Sequence, residues 1–408
     1  MHEVYGSGGM NMIMLRSAAD AIERLKQDYA GKIQLIYIDP PFNTGKKYDM
    51  RARVGEQGYG GNYAKSVALT AYKDGAADYY EMLSTVLRGC RELLRDEGSI
   101  FVHLDSRANA RARLLLDDIF GAVNFVNEII WCYKSGGRSK RFFSKKHDTI
   151  FFYRKSKALR FSIQAVATPM GAAKRNHMKR AVDENGKTVM TIRSGGKLYT
   201  YSEDSLVYPS DVWTDISHLQ QRDPERVGFE TQKPEALLKR IILCASERGD
   251  IVADFFSGSG TTAAAACRLG RRFIVSDISP LSRLLTLKRV LEYCPEQSGV
   301  PTADIALESD ERLTRAAGRA QFAVAPKGEG ASVALESYES ETGSGIEYID
   351  HWAAGVVKNG VFYALAYSMR TNASPALKTT LEIPTREGAA AAYTDVTGAR
   401  SVVEFEGV

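Results

Sequence analysis

Residues 36 to 45 read IYIDPPFNTG, an apolar run that ends in an acid, two prolines and an aromatic ring. Prolines remove backbone donors and fix φ, and the residue before a proline is pushed out of the helical region. Asp39-Pro40-Pro41-Phe42 therefore reads as a stiff, extended corner with free carbonyls and a fixed ring. An acid and a proline carbonyl placed side by side can accept both N–H bonds of a planar exocyclic amine. The lone pair of such an amine is delocalised into its heterocycle, and drawing the nitrogen toward sp³ geometry restores a nucleophile. Phe42 then stacks on the heterocycle.

A second anchor lies more than two hundred residues later, in IVADFFSGSGTTAAAACRLGRRFIVSDIS. Gly258-Ser259-Gly260-Thr261-Thr262-Ala263 is a G-x-G-x-x-A turn between a strand and a helix, and Asp277 ends the next strand 19 residues after Gly258. Glycines permit the tight turn and let a ligand approach the backbone, and the acid can accept hydrogen bonds from ribose hydroxyls. A phosphate-binding P-loop is excluded because no GK[ST] follows. Two readings survive at this point: an NAD(P)-dependent oxidoreductase and an enzyme that uses S-adenosylmethionine. The DPPF corner separates them, since hydride transfer has no use for a diproline acid and ring, whereas methylation of an exocyclic amine does. Charge is neutralised as a sulfonium methyl moves in line, so such catalysis is mostly positioning and electrostatics. A base inside a duplex must first be flipped out.

Two stretches must carry these anchors. In the first, AADAIERLKQDYA predicts a helix, KIQLIYI a strand, DYYEMLSTVLRGCRELL a helix, SIFVHL a strand, ARARLLLDDIF a helix, and FVNEIIWCY and DTIFFYR strands. In the second, KPEALLKRIILCAS, TTAAAACRLG and LSRLLTLKRVLEYC predict helices around the strands DIVADFF and RRFIVSDI. Alternation of this kind predicts an α/β fold with a doubly wound, mostly parallel sheet, covered on both faces. We expect a catalytic half at 1–155, an inserted β-rich recognition module at 156–230, a cofactor-binding half at 231–295 and a β-rich C-terminal extension at 296–408.

At 408 residues the chain can bury a large core, with 44% hydrophobic and 25% charged residues. Its cysteines (Cys90, Cys132, Cys244, Cys267, Cys294) lie far apart without a CxxC pair, which favours a reduced, cytoplasmic setting and gives no metal site. The apolar run in MNMIMLRSA is far shorter than the roughly 20 residues of a membrane span, so no membrane partner is expected. Net charge is only +5, but Lys134 to Arg180 hold fourteen Lys or Arg against one acid, Asp148. So one-sided a block suggests a polyanionic partner. Tyr133, Phe142, Phe143, Phe151, Phe152, Tyr153 and Phe161 are interleaved with these charges.

With both anchors in place, the chain resembles the β-class amino-group DNA methyltransferases, in which the catalytic motif precedes the target-recognition region and the cofactor motif. YAGKIQLIYIDPPFNTGK, VHLD, RLLLDDIFGAVNFVNEIIW, HDTIFFYRKS, DVWTDI and ETQKPEALLKRIILCASERGDIVADFFSGSGTTAAAACRLGRRFIVSDIS carry the likeness. It extends to type III modification-subunit-like and orphan adenine-specific enzymes. The resemblance implies a Rossmann-like methyltransferase fold, S-adenosylmethionine as cofactor, double-stranded DNA as partner, a possible homodimer, and a cognate restriction endonuclease in some relatives. It places catalysis on Asp39, Pro40, Pro41 and Phe42. Cofactor contacts fall on Asp254, Phe256, Ser257, Gly258, Gly260, Thr261, Thr262 and the ribose ligand Asp277, with Lys233 of the QKP word meeting the methionine carboxylate. Asp in the first place of xPP[YFW] favours adenine N6 in this family, with cytosine N4 as the alternative. The segment MIMLRSAADAIERL lacks the acidic start many members have, and no N-terminal cofactor contact is assigned. Lys46, Lys47, Arg138, Lys140 and Arg141 are the expected DNA contacts, and Lys46 to Lys73, with its GEQGYGGNY, reads as a mobile loop closing over DNA.

Overall fold

The computed structural model describes residues 2–6, 11–59, 65–73, 78–133, 139–171, 177–184, 186–221, 223–293 and 304–406. In chain order, the main sheet and its helices begin with β1 (His2–Tyr5), β2 (Asn11–Leu15), α1 (Ala18–Tyr29) and β3 (Ile33–Ile38). There follow α2 (Tyr79–Leu93), β4 (Leu94–Leu104), α3 (Asn109–Phe120), β5 (Phe125–Cys132), β6 (His147–Arg154) and β7 (Val212–Trp213). Next are α4 (Glu235–Ala245), β8 (Ile251–Asp254), α5 (Thr261–Arg268), β9 (Arg272–Asp277), α6 (Pro280–Tyr293) and β10 (Ile305–Ser309). The C-terminal strands are β11 (Ile349–Lys358), β12 (Val361–Met369), β13 (Ala389–Asp395) and β14 (Arg400–Glu404).

The strand order is β7-β5-β6-β4-β3-β8-β9-β2-β10-β1-β12-β11-β13-β14. Strands β4, β3, β8, β9, β2 and β10 run parallel, and β6 is antiparallel to both β4 and β5. Strand β3, IQLIYI, is buried along its whole length. That is why it reads as a continuous apolar run: helices cover both faces of a parallel sheet. Its side chains alternate: Ile36 and Ile38 join the core of α1, α2 and α3, while Leu35 and Tyr37 join that of α4, α5 and α6. Ser17 starts α1, its hydroxyl accepting the Asp20 N–H, an ordinary N-cap. The doubly wound, Rossmann-like α/β fold read from the alternation of elements is thus the fold observed. Cys90, Cys132 and Cys244 are free thiols, whereas Cys267 is disulfide-bonded, which the scattered cysteines did not foretell.

Within 156–230, Lys179–Val182, Thr188–Ser194 and Lys197–Tyr201 form a small antiparallel sheet. The chain then returns to the main sheet as β7, parallel to β5. At the other edge β1 joins two regions, antiparallel to β10 and parallel to β12. Buried Arg400 forms an ion pair with buried Glu3 at this joint and donates to Tyr5 Oη at 3.1 Å. A second C-terminal sheet (Arg319–Lys327, Gly330–Ser340, Thr380–Ile383) packs through Val333 and Leu335 in a cluster with Trp352 and Tyr393.

The stretch after the DPPF corner differs from the expectation of a structureless loop. Lys47–Arg53 pairs antiparallel with Ser66–Lys73, and the hairpin docks on the C-terminal region. Gly55 N donates to Glu347 O at 2.8 Å, Tyr59 Oη donates to Asp350 Oδ1 at 3.0 Å, and Lys288 Nζ donates to Tyr59 Oη at 2.8 Å. Partners more than two hundred residues away supply the order that the local pattern lacks.

Breaking a buried ion pair by removing one partner costs about 3–5 kcal/mol, because the other charge is left uncompensated. Arg400→Ala should therefore lower the urea midpoint strongly, and the apolar pair Glu3→Leu with Arg400→Met should lower it less. A midpoint unchanged by Arg400→Ala would remove this joint from the account of stability.

Candidate active site

Strand β3 leads leftward to β4 and strand β8 leads rightward to β9, so the crevice between β3 and β8 is the point where the winding reverses. Leu35 lies beside Val252 and Ile36 beside Ala253. In open α/β sheets the carboxyl ends of strands at this reversal form the ligand crevice. Asp39 leaves β3 here, and the glycine turn leaves β8 opposite it. A cavity of about 910 Å³, counted to its open mouth, lies between them. Its walls include Asp39, Phe42, Lys233, Phe256, Gly258 and Asp277.

Asp39 is held from one side. Lys233 Nζ forms an ion pair with Asp39 Oδ2 and stands 5.4 Å from the centre of the Phe42 ring. Oδ1 of the same carboxylate is buried and has no hydrogen-bond partner among the described residues. One oxygen is thus anchored by a cation while the other is an acceptor in the crevice. Resemblance assigns Lys233 to a cofactor carboxylate; the structure gives it Asp39 as partner. Its carbonyl accepts the Thr261 hydroxyl at 3.2 Å, so Lys233 ties the DPPF corner to the start of α5.

The glycine turn is built by local necessity. Gly258 and Gly260 have φ of +50° and +75°, a region that disfavours side chains. A Cβ on Gly260 would stand 2.4 Å from Thr286 Oγ1 of α6, so only glycine allows this approach. Asp277 accepts the Gly258 N–H at 2.8 Å and the Ser279 N–H at 2.9 Å, joining the ends of β8 and β9. Burial raises its carboxyl above the usual range, against those N–H bonds. Asp254 is occupied within the turn as well, accepting the Phe256 N–H at 3.0 Å and the Thr262 hydroxyl at 2.5 Å. Burial pushes it up to about 7, against those hydrogen bonds, with the nearby charges of Asp39 and Asp277 adding to the rise. Beneath the turn, buried Arg289 donates to Ser259 O at 3.2 Å and to Thr261 Oγ1 at 2.9 Å. Nothing in LSRLLTLKRVLEY marks this arginine out in sequence; only the packing of α6 under the turn does.

Behind Phe42 lies a buried polar chain that the sequence reading missed. The His103 ring centre is 6.2 Å from that of Phe42. Tyr37 Oη lies 2.9 Å from His103 Nδ1, and His103 Nε2 lies 3.2 Å from Asp148 Oδ2. Tyr133 Oη donates to Asp148 Oδ1 at 3.1 Å. Burial tends to raise the Asp148 carboxyl, but hydrogen bonding and electrostatic attraction from His103, the charge of Lys233 and, least, the hydrogen bond from Tyr133 together outweigh it and hold the group below its usual range. Asp105, in VHLDS, instead accepts the Arg107 N–H and guanidinium at 2.9 and 2.7 Å.

The structure brings Asp39, Pro40, Pro41, Phe42, Lys233, Asp254, Phe256, Ser257, Gly258, Thr261, Thr262 and Asp277 to one cavity. Gly260 packs on α6 behind it. Lys46, Lys140 and Arg141 are exposed. Arg138 lies outside the described residues, as does the side chain of Lys47.

Residues 33–282 match the family N6_N4_Mtase, described as DNA methylase, a span of more than half the chain. The chain belongs to this family. Among curated relatives of this DNA methylase, the DNA adenine methyltransferase YhdJ of Escherichia coli (strain K12) is 28% identical over 273 residues, covering 66% of this chain and 80% of YhdJ. The StyLTI Mod subunit of a type III restriction-modification enzyme from Salmonella typhimurium is 25% identical over 388 residues, covering 76% of this chain and 57% of that subunit. The type II methyltransferase M.HpaI of Haemophilus parainfluenzae is 29% identical over 262 residues, covering 64% and 69%. Among solved structures, the cytosine-N4-specific PvuII DNA methyltransferase aligns at a TM-score of 0.46 and 15% identity, covering 75% of this chain and 98% of that one.

The residues present in the methylase fit S-adenosylmethionine. A side chain at Gly258 would reach 3.3 Å from the Phe229 ring, so glycine keeps the floor of the cavity open to a flat ligand. Asp277 at the end of β9 and half-exposed Ile278 line the cavity beside the glycine turn, and Asp39 and Asp254 lie on its walls, so acidic and apolar groups are both at hand for a nucleoside that carries a cationic sulfur. Among the described residues, no group of three or more His, Cys, Asp or Glu could hold a metal ion, and no helix is long and apolar enough to cross a membrane.

Because folding raises the Asp254 pKa from 3.8 to about 7, the folded state holds the proton more tightly than the unfolded chain. That contribution is complete below the unfolded value and is lost as pH rises through about 7. Relative to Asp254→Asn, which does not titrate, the wild type should lose stability between about pH 4 and 7. Parallel urea midpoints across that range would exclude this carboxyl from the linkage.

Proposed function

We propose that this DNA methylase transfers a methyl group from S-adenosylmethionine to the N6 amino group of adenine in double-stranded DNA, on a base flipped into the crevice. One observation carries the reading: Asp39 offers a buried oxygen beside Phe42 that has no hydrogen-bond partner among the described residues, while Lys233 anchors its other oxygen. The Asp of DPPF and the match to a relative named as an adenine methyltransferase support adenine over cytosine.

The residues divide the work as follows. Asp277, Gly258 and the walls at Phe256 and Ile278 would hold the cofactor, which when bound supplies an electrophilic methyl on a cationic sulfur. Asp39 Oδ1 accepts one N–H of the target amine, and a carbonyl of the diproline corner accepts the other. These bonds orient the nitrogen lone pair and stabilise the positive charge that develops on it. Lys233 holds Asp39 in place through its other oxygen, so the carboxylate can accept but does not swing. Phe42, backed by His103, offers a stacking face whose contacts offset part of the few kcal/mol that flipping costs. The amine proton leaves after transfer, when the nitrogen is acidic, and Asp39 Oδ1, already accepting one of its N–H bonds, can take it.

The match to a Mod subunit supports assembly with a restriction endonuclease, which co-purification would test.

Incubation with S-adenosylmethionine and unmethylated DNA, followed by digestion to nucleosides and mass spectrometry, should yield N6-methyladenine. N4-methylcytosine instead would reject the assignment of the base. Asp39→Asn should cut the methylation rate by about 10²–10³, the scale of removing one preorganised group that stabilises the transition state, while DNA affinity changes little. An active Asp39→Asn variant would defeat the mechanism. Lys140→Ala with Arg141→Ala should flatten the salt dependence of DNA binding by up to about 0.9 for each phosphate the two side chains neutralise. An unchanged slope would clear both residues of phosphate binding.

A further inference from the structure

Phe142 and Phe143 are the two most exposed Phe, Tyr or Trp side chains among the described residues. They sit between β5 and β6 and are 71% and 99% exposed. Single exposed apolar residues are ordinary, since much of any protein surface is apolar. This pair differs because the backbone is folded to present it. Ser139 Oγ accepts the N–H groups of Arg141 and Phe142, each at 3.2 Å, and Ser144 Oγ accepts the Ser139 N–H at 3.1 Å. A closed turn therefore holds two rings in water that burial would favour by about 1.5–3 kcal/mol each.

The surroundings of the rings indicate what covers them. Lys140 and Arg141 precede them, Lys145 and Lys146 follow, and residues 139–147 contain no acid. The loop also stands at the face where catalysis is placed. Its neck is closed by Tyr133 N donating to Lys146 O at 2.9 Å. Tyr133 Oη bonds to Asp148, Asp148 meets His103, and the His103 ring faces Phe42. Strand β6 begins beside the carboxyl end of β4, with Thr149 opposite Leu104, so the loop leaves the sheet on the side where Asp39 leaves β3. From Lys146 at the neck to Phe143 is three residues, about 10 Å of extended chain.

A flipped base leaves a gap in the stack, and proteins that unstack DNA fill such gaps with apolar wedges while cations hold the flanking phosphates. We propose that Phe143, supported by Phe142, is the wedge that enters the duplex where the target base leaves it, with Lys140, Arg141 and Lys145 on the adjacent phosphates. This rests on the DNA-methylation reading for its substrate and deepens it by assigning the group that stabilises the open duplex. The anionic, stackable partner that fits aromatic tips between four cations is the duplex itself.

The test compares the full-length wild type with Phe142→Ala/Phe143→Ala. Both rings lie at the surface, so the variant retains the core and its unfolding midpoint should match. Fluorescence anisotropy is read on an intact duplex and on the same duplex with one abasic position, which offers a ready-made gap. The wild type should bind the abasic duplex at least tenfold more tightly than the intact one, and the variant should bind both alike, because its cations remain. A wild type without the preference, or a variant that keeps it, overturns the wedge. Methylation is assayed separately on duplexes whose target adenine faces thymine or an abasic position. The variant should lose at least tenfold in kcat/KM on the paired target and recover most of it on the unpaired one; equal loss on both overturns the wedge. Gap preference in a wild type that methylates no DNA would defeat the methylation reading and leave the wedge standing, so the two failures are distinguishable.

Discussion

The site depends on one structural constraint: Ile33–Ile38 and Ile251–Asp254 lie side by side and parallel, with more than two hundred residues between them in the chain. Because each strand then winds away from the other, a crevice is left at their carboxyl ends. The diproline corner and the glycine turn face each other across that gap. A one-residue slip in this pairing would exchange Ile36 and Ile38 with Leu35 and Tyr37 between the two cores, so burial on both faces specifies the register. The same packing that stabilises the fold therefore positions the chemistry.

Charges buried around the crevice keep its two walls in place. Lys233 reaches across it, its side chain on Asp39 and its carbonyl on Thr261. Arg289 supports the turn from below through Ser259 and Thr261. Taking such groups out of water is costly unless each is paired and hydrogen-bonded, and in a region of low polarisability each satisfied contact is correspondingly directional. These groups stabilise the fold weakly as pairs; their value lies in fixing one carboxylate oxygen and leaving the other to accept.

The C-terminal region acts on the site at a distance. It continues the main sheet through His2–Tyr5, a strand that neighbours both Ile305–Ser309 and Val361–Met369. It also receives the hairpin that follows the DPPF corner, through Glu347, Asp350 and Asn372. The segment leaving Phe42 is thereby held at both ends, by the sheet on one side and by this dock on the other.

The alternation of strands and helices, and hence the doubly wound fold, is legible in the order of residues, because a parallel strand buried on both faces must read as an unbroken apolar run. The sequence also marked the two turns, because only prolines stiffen a corner in the manner of DPPF and only glycines readily adopt the φ values at 258 and 260. The tertiary structure alone decided what those turns hold. It paired Lys233 with Asp39 across the crevice. It brought Tyr37, His103, Asp148 and Tyr133 into one chain behind Phe42, and set Arg289 under the glycine turn. It also ordered GEQGYGGNY's neighbourhood as a docked hairpin. None of these has a local signature, because each joins residues from different elements, whose proximity is set by sheet order and burial and not by spacing along the chain.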